Sequence, residues 1–259
     1  MSTTYEKTGD VAVVTLNRPE RYNAIDAALS TAVVANLRRA QAEARAVVLT
    51  GRGKAFCSGA DLSAFAEEYD NGSPDLARHL DKEFHPVVYA LADCSIPTVA
   101  AVNGVAAGAG MGLALGCDLR VMDETAYLTS AFTAIGLTPD SGSTWLLPHH
   151  LGVSTALEMA LTNRRMTAEE AKAHGLCVEV APAGESVPKA LEYAEKLADM
   201  PTDALVTTRR LIRGSARLTF AEGLEQEMLE QGRLGMTPEH HEGVMAFLEK
   251  RAPDFRRFY

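Results

Sequence analysis

The sequence predicts an α/β chain that ends in an all-helical part. Three observations carry this. Compact apolar runs rich in Val, Ala and Thr recur at 11–16, 46–50, 98–102 and 119–122. Segments rich in Ala and Leu, of helical composition, stand between most of them. From about Val187 onward the pattern stays helical, with breaks near Met200-Pro201 and Thr237-Pro238. Strands alternating with helices favour a mostly parallel sheet, and the closing run of helices favours a separate layer.

Taken in order, 11–16 is β-branched, stops at Asn17-Arg18-Pro19 and reads as a strand. Residues 21–39 read as a helix, with Asp26 as the expected N-cap. A second buried strand, 46–50, ends at Gly51-Arg52-Gly53. Residues 55–62 read as a loop with small residues at its centre. Residues 63–80 are the most polar and irregular part of the first half, broken by Asn71-Gly72-Ser73-Pro74, and are expected to be mobile. A helix follows over 81–91, and Ile96-Pro97 resets the chain before the strand at 98–102. Next comes the run Asn103-Gly104-Val105-Ala106-Ala107-Gly108-Ala109-Gly110-Met111-Gly112, a glycine-rich turn opening a helix. Such a turn places bare N–H groups at a helix N-terminus, a site for negative charge. Beyond it are the strand at 119–122, a turn at 123–125, a helix through Leu151 and another over 154–161. Thr167-Ala168-Glu169-Glu170 is a capping box, its helix stopped by Gly175. Cys177-Val178-Glu179-Val180 reads as the last strand.

Composition bounds the function. The chain has 259 residues, 47% of them apolar, which suffices for a sizeable core. Its formal net charge of -9 argues against a protein that binds nucleic acid by neutralising phosphates. Four cysteines form no C-x-x-C pair, and the seven histidines show no zinc spacing, so surface or capping roles are expected for them. The first residues have neither a basic start nor an apolar core, and no run is long enough to cross a bilayer. No signal peptide, no membrane partner and a cytoplasmic location are expected.

The phosphate motifs fail. In G-x-G-x-x-G, Gly108 and Gly110 supply the first two glycines but Leu113 stands third, and the shifted register reaches Leu115. Gly53-Lys54-Ala55 is not a P-loop, and no G-x-S-x-G surrounds Ser58 or Ser141.

What remains is a set. Ala55-Phe56-Cys57-Ser58-Gly59-Ala60-Asp61-Leu62, then Ile96-Pro97-Thr98-Val99-Ala100-Ala101-Val102-Asn103-Gly104, then Gly108-Ala109-Gly110, then Cys117-Asp118-Leu119, resembles the crotonase (enoyl-CoA hydratase/isomerase) superfamily over almost the whole chain. The resemblance implies a spiral of repeated ββα units over 1–195, a C-terminal helical trimerisation region over 196–259, and acyl-CoA thioester substrates. It also implies a homotrimer or dimer of trimers, and no cofactor beyond the coenzyme A of the substrate. By the family pattern the backbone N–H groups of Ala60 and Ala109 form an oxyanion hole. Ser58, Asp61 and Leu62 lie along the CoA, the Arg21 region faces its ribose-phosphate end, and Lys250 approaches its phosphates. The physics agrees: chemistry beside a thioester carbonyl builds charge on its oxygen, and two preorganised donors hold it.

The resemblance also frames the chemistry. Hydratases of this family use two glutamates. One follows the glycine run, where this chain has Gly112. The other lies four residues before the glycine of the next loop, where it has Phe132, which then only lines the substrate. Neither moves a proton, and hydration needs groups that activate water. Asp140 is the carboxylate left. Gly136-Leu137-Thr138-Pro139-Asp140-Ser141-Gly142-Ser143-Thr144-Trp145 is similar to the epoxyphenylacetyl-CoA isomerases, and Δ3,Δ2-enoyl-CoA isomerases place a carboxylate at this position. One carboxylate suffices for a 1,3-proton shift, and burial against Phe132, Ile135 or Leu137 makes it a better base. The expectation is an acyl-CoA isomerase, of double-bond or epoxide type, with Asp140 as acid/base. Asp140 also precedes a helix, which leaves an N-cap role open. The alternatives are an enoyl-CoA hydratase of fatty-acid or aromatic-acid degradation, a nucleophilic Asp140 acting on an aryl-CoA, and a non-catalytic CoA-thioester-binding subunit. No metal site is expected.

Overall fold

The computed structural model describes residues 1–259. Its strands are β1 (Thr3–Thr8), β2 (Val11–Leu16), β3 (Ala46–Gly51), β4 (Ala55–Cys57), β5 (Thr98–Val102), β6 (Val105–Ala107), β7 (Leu119–Asp123), β8 (Tyr127–Thr129), β9 (Met166–Thr167) and β10 (Glu179–Ala181). Its helices are α1 (Ala27–Glu43), α2 (Ala66–Asp70), α3 (Leu76–His79), α4 (His85–Ala92), α5 (Ala109–Gly116), α6 (Ser143–Thr162), α7 (Ala168–Ala173), α8 (Ser186–Ala198), α9 (Thr202–Ser215), α10 (Phe220–Leu234) and α11 (Pro238–Glu249).

Two sheets organise these elements. One is six-stranded, in the order β1-β2-β3-β5-β7-β10, and the other four-stranded, in the order β4-β6-β8-β9. Successive strands alternate between them: β3, β5 and β7 enter the first, β4, β6 and β8 the second. Each turn of the chain therefore adds one strand to each sheet, which is the expected ββα spiral. In the larger sheet every pairing is parallel except β1 with β2.

Period-two alternation sets what each face buries. Ala12, Val14, Val47, Leu49, Ala100 and Val102 point into the main core between the sheets. Val11, Val48, Val99 and Val121 point the other way, onto Ala190, Ala194 and Ala198 of α8. Burial on both faces explains why these strands read as continuous apolar runs. The small residues of α8 allow a close approach to the sheet. Helix α8 also runs through the boundary drawn at 195. Beyond it, Arg209 and Arg213 of α9 reach back to Asp118 at 3.0 and 3.2 Å and tie the last helices to the spiral.

Several expectations are corrected. Strand β1 carries no apolar signal in the sequence, because its second half is an exposed edge. The stretch at 55–57 is a strand rather than a loop, and β6 lies inside the glycine run. These second-sheet strands are too short to show a period. The helix expected from residue 21 begins at Ala27, because Tyr22 and Asn23 are left-handed, with φ of 51° and 57°. Asp26 does cap it, accepting from the Leu29 N–H at 2.7 Å. Most of 63–80 is helical rather than irregular. Asp61 caps a 3-10 turn at Leu62–Phe65, and Asp75 caps α3. The expected pair of helices around 143–161 is correct: a non-helical Gly152 splits α6. The capping box at Thr167 is formed. No helix is long and apolar enough to cross a membrane, and all four cysteines are unpaired and buried.

Candidate active site

The spiral leaves a cavity of about 370 Å³ where β4, β6 and the turn before α6 end. Its lining includes Ser58, Gly59 and Ala60 from one loop, Gly108 and Ala109 from another, and Asp140. The two loops touch. A β-carbon on Gly59 would lie 3.0 Å from the Ala107 carbonyl oxygen and 3.5 Å from the Ala109 nitrogen. One on Gly110 would sit 2.2 Å from the Cys57 carbonyl oxygen. Only bare backbone permits this approach. Gly59 and Gly108 also hold φ of 98° and 53°, which favours glycine.

Both candidate donors are free. Ala109 is the first residue of α5, whose cap Gly108 offers no side chain, so its N–H has no intrahelical acceptor. The Ala60 N–H makes no backbone hydrogen bond, although its neighbours do: Ile25 N–H donates to Gly59, and Asp61 N–H donates to Ile25. The sequence therefore brings Ala60 and Ala109 together as unsatisfied donors on one cavity wall.

Asp61 is not among the residues lining the cavity, and its side chain turns into the protein. Its side chain is 8% exposed and pairs with Arg18 at 2.7 Å, and it also accepts from Ser63. Burial opposes its ionisation. The Ser63 and Arg18 hydrogen bonds outweigh burial and hold the carboxyl below its ordinary range. Arg18 also reaches Asp26 at 3.1 Å. The carboxylate thus braces the loop that carries Ala60. Ser58 and Leu62 line the cavity. Arg21 is exposed, and its carbonyl oxygen accepts from Ser58 Oγ at 3.4 Å, so it stands at the same mouth. Lys250 is the exposed C-cap of α11 and is not part of the lining.

Asp140 is half-buried, and burial pushes its carboxyl up; a Ser141 hydrogen bond and His85 act against that. It does not cap α6 through its side chain, since the N-cap is Gly142 with no side-chain bond. Phe132 is buried and lines the cavity, as expected. Ile135 and Leu137 line it too. At Gly112 an added β-carbon would stand 2.6 Å from the Ser141 carbonyl oxygen, so the position is sealed as well as bare.

Leu62, Phe65, Tyr69, Leu76, Leu80 and Phe84 supply a further, largely apolar wall. It holds His79, for which the sequence predicts a surface or capping role. His79 Nδ1 lies 2.7 Å from Glu83, its Nε2 2.9 Å from Glu68, and its ring 4.4 Å from that of Phe65. The Glu83 hydrogen bond first, and Glu68 after it, raise its pKa. The signal available was the helical spacing of His79 and Glu83. His150 departs from the surface reading too: burial, with Arg120 and Arg213, pushes it down to about 4. No group of three or more His, Cys, Asp or Glu side chains gathers as a metal site.

This architecture is shared. The enoyl-CoA hydratase/isomerase family model matches residues 6–257. A probable enoyl-CoA hydratase of Rhodobacter capsulatus is 42% identical over 97% of this chain and 96% of its own. The 1,2-epoxyphenylacetyl-CoA isomerase of Escherichia coli K12 is 36% identical over 95% and 94%. The crystal structure of a putative enoyl-CoA hydratase/isomerase from Mycobacterium abscessus superposes with a TM-score of 0.92 at 36% identity, over 98% of each chain. In fold, in sequence and over nearly its whole length, the chain belongs to the crotonase superfamily, as an enzyme of the enoyl-CoA hydratase/isomerase family that acts on acyl-CoA thioesters.

Proposed function

We propose that this enzyme is an acyl-CoA isomerase with Asp140 as its single acid/base. One observation carries the reading: Asp140 is the only carboxylate lining the cavity, while Gly112 is closed by Ser141 and Phe132 is a hydrocarbon wall. The thioester oxygen sits between the Ala60 and Ala109 N–H groups. Asp140 takes a proton from the carbon next to the activated system, the enolate charge moves onto that oxygen, and the carboxylic acid returns the proton to another carbon. Nothing is added or lost, so the step needs no cofactor. Two preorganised donors suit the developing charge, and losing one such donor costs about 2.7–4 kcal/mol in barrier.

The acyl group this site favours is apolar or aromatic. Phe65, Leu80, Phe84, Phe132 and Ile135 supply the walls, and both ring nitrogens of His79 among them are already occupied by Glu68 and Glu83. The E. coli relative named for an epoxyphenylacetyl-CoA substrate supports an aryl group as well as an alkenyl one. Ser58, Leu62 and Arg21 guide the CoA at the mouth, Asp61 acts by bracing, and Lys250 serves CoA phosphates from the surface. A homotrimer or dimer of trimers would cover the exposed apolar side chains of α10 and α11. Leu224 and Met228 are open there and Leu234 is half-buried. Buried, unpaired cysteines suit a reducing compartment, and we place the protein in the cytoplasm.

The test is Asp140→Asn with a 3-enoyl-CoA or an epoxy-arylacetyl-CoA. Turnover should fall at least ~10²-fold, the usual worth of a positioned acid/base. An Asp140→Asn enzyme working at the wild-type rate would end the proposal.

A further inference from the structure

Ser141 is 2% exposed and makes the one hydrogen bond that the Asp140 side chain has within the protein. Its hydroxyl donates to Asp140 Oδ1 at 2.7 Å. The other carboxylate oxygen has no protein partner.

The backbone that allows this contact is unusual. Ser141 and Gly142 are successive left-handed residues, with φ of 51° and 81°. A non-glycine residue rarely stays there without reason. The turn is closed by the Ser143 N–H, which donates to the Asp140 carbonyl at 2.9 Å. Its outer side rests on Gly112, against which the Ser141 carbonyl packs. The main chain of Asp140 is thus fixed by the turn, and its side chain by the neighbouring hydroxyl alone.

We propose that Ser141 is a positioning residue for the Asp140 carboxylate: its hydroxyl occupies one oxygen and leaves the other to face the reacting carbon. This rests on the acid/base reading of Asp140. A terminal carboxylate torsion is otherwise broad, and misplacing a reacting group by about 1 Å can cost ~10²-fold in rate. The hydroxyl also stabilises the ionised carboxylate and so offsets burial. The other titratable groups around the cavity are His85 on α4, which acts in the same sense, and His79 and Tyr69 in its lining.

The experiment compares Ser141→Gly and Ser141→Ala with wild type over a full pH profile. Glycine suits the left-handed backbone, so it removes the hydroxyl without adding strain. Both variants should keep KM, lose kcat about tenfold, the worth of one hydrogen bond to a charged group, and show the acid limb displaced to higher pH. A Ser141→Gly enzyme with wild-type kcat, or one slowed without any displacement of the acid limb, would overturn the proposal. Asp140→Asn is run alongside. If Asp140→Asn keeps full rate, the acid/base reading fails and this inference with it. If Asp140→Asn is inactive and Ser141→Gly is unaffected, this inference alone fails.

Discussion

The carbonyl oxygen of Ser141 occupies the space that any side chain at position 112 would need. A β-carbon on Gly112 would lie 2.6 Å from that oxygen, 3.1 Å from the Ser141 Cβ and 3.3 Å from the Ser143 Oγ. The bare α5 and the Asp140–Ser141 turn therefore require each other. A glutamate at 112 and this turn exclude one another, so the absent hydratase carboxylate and the present aspartate are two sides of one packing choice.

Substitution at 112 tests that choice. Gly112→Ala should destabilise the protein by about 1–3 kcal/mol, the usual range for overpacking, and lower isomerisation by moving the turn. Gly112→Glu should disturb it further and gain no hydration. Thermal unfolding with both activity assays reads the result.

Asp140 carries a stability signature as well. Burial raises its folded-state pKa, so its contribution to stability is present at low pH and is lost as pH rises through that raised value. Above that value the charged carboxylate is a burden. Asp140→Asn, neutral and of the same shape, should match or exceed the wild-type Tm at neutral pH while losing activity. A clearly lower Tm would mean that Asp140 holds the fold.

The Arg18–Asp61 pair supports the other half of the site. Removing Arg18 leaves a carboxylate 8% exposed without its partner. Arg18→Ala should cost about 1.5–3 kcal/mol, the range for a hydrogen bond to a charged group. It should also depress kcat, because the loop carrying Ala60 loses its brace. Chemical denaturation and steady-state kinetics check the two effects separately.

The apolar wall of the cavity should respond to pH through His79. Glu83 and Glu68 raise its pKa, so the clamp is complete below the ordinary histidine value, ~6.5. It weakens as pH rises through the raised one. The protection factors of residues 66–84, which cancel the intrinsic base catalysis of amide exchange, should fall on alkaline titration in wild type. In His79→Gln they should be low at every pH.

Much of this was legible in the residues. The doubly buried strands announced themselves as apolar runs, and Asp26, Thr167 and Gly175 marked helix ends through local capping chemistry. The pairing of Ala60 with Ala109 followed from the family resemblance that their motifs carry, since small residues alone also suit tight turns. Other features had no local signal. Three-residue strands such as Ala55–Cys57 are too short to show a period, and β1 is half exposed. The His79 clamp joins two helices across a loop, and the Ser141 contact depends on a left-handed backbone that serine does not advertise. Asp61 stands beside a candidate donor, where the sequence allows either a ligand contact or a brace for the loop, and its contact with Arg18 shows the brace.

The most direct test of the central claim follows the mass of the product. The enzyme is given a 3-enoyl-CoA and, separately, the matching 2-enoyl-CoA, and products are read by conjugated-thioester absorbance and mass spectrometry. A single-carboxylate isomerase converts the first to its conjugated isomer at unchanged mass and leaves the second unhydrated. Rapid addition of water to the 2-enoyl-CoA, with little isomerisation of the 3-enoyl-CoA, would contradict it.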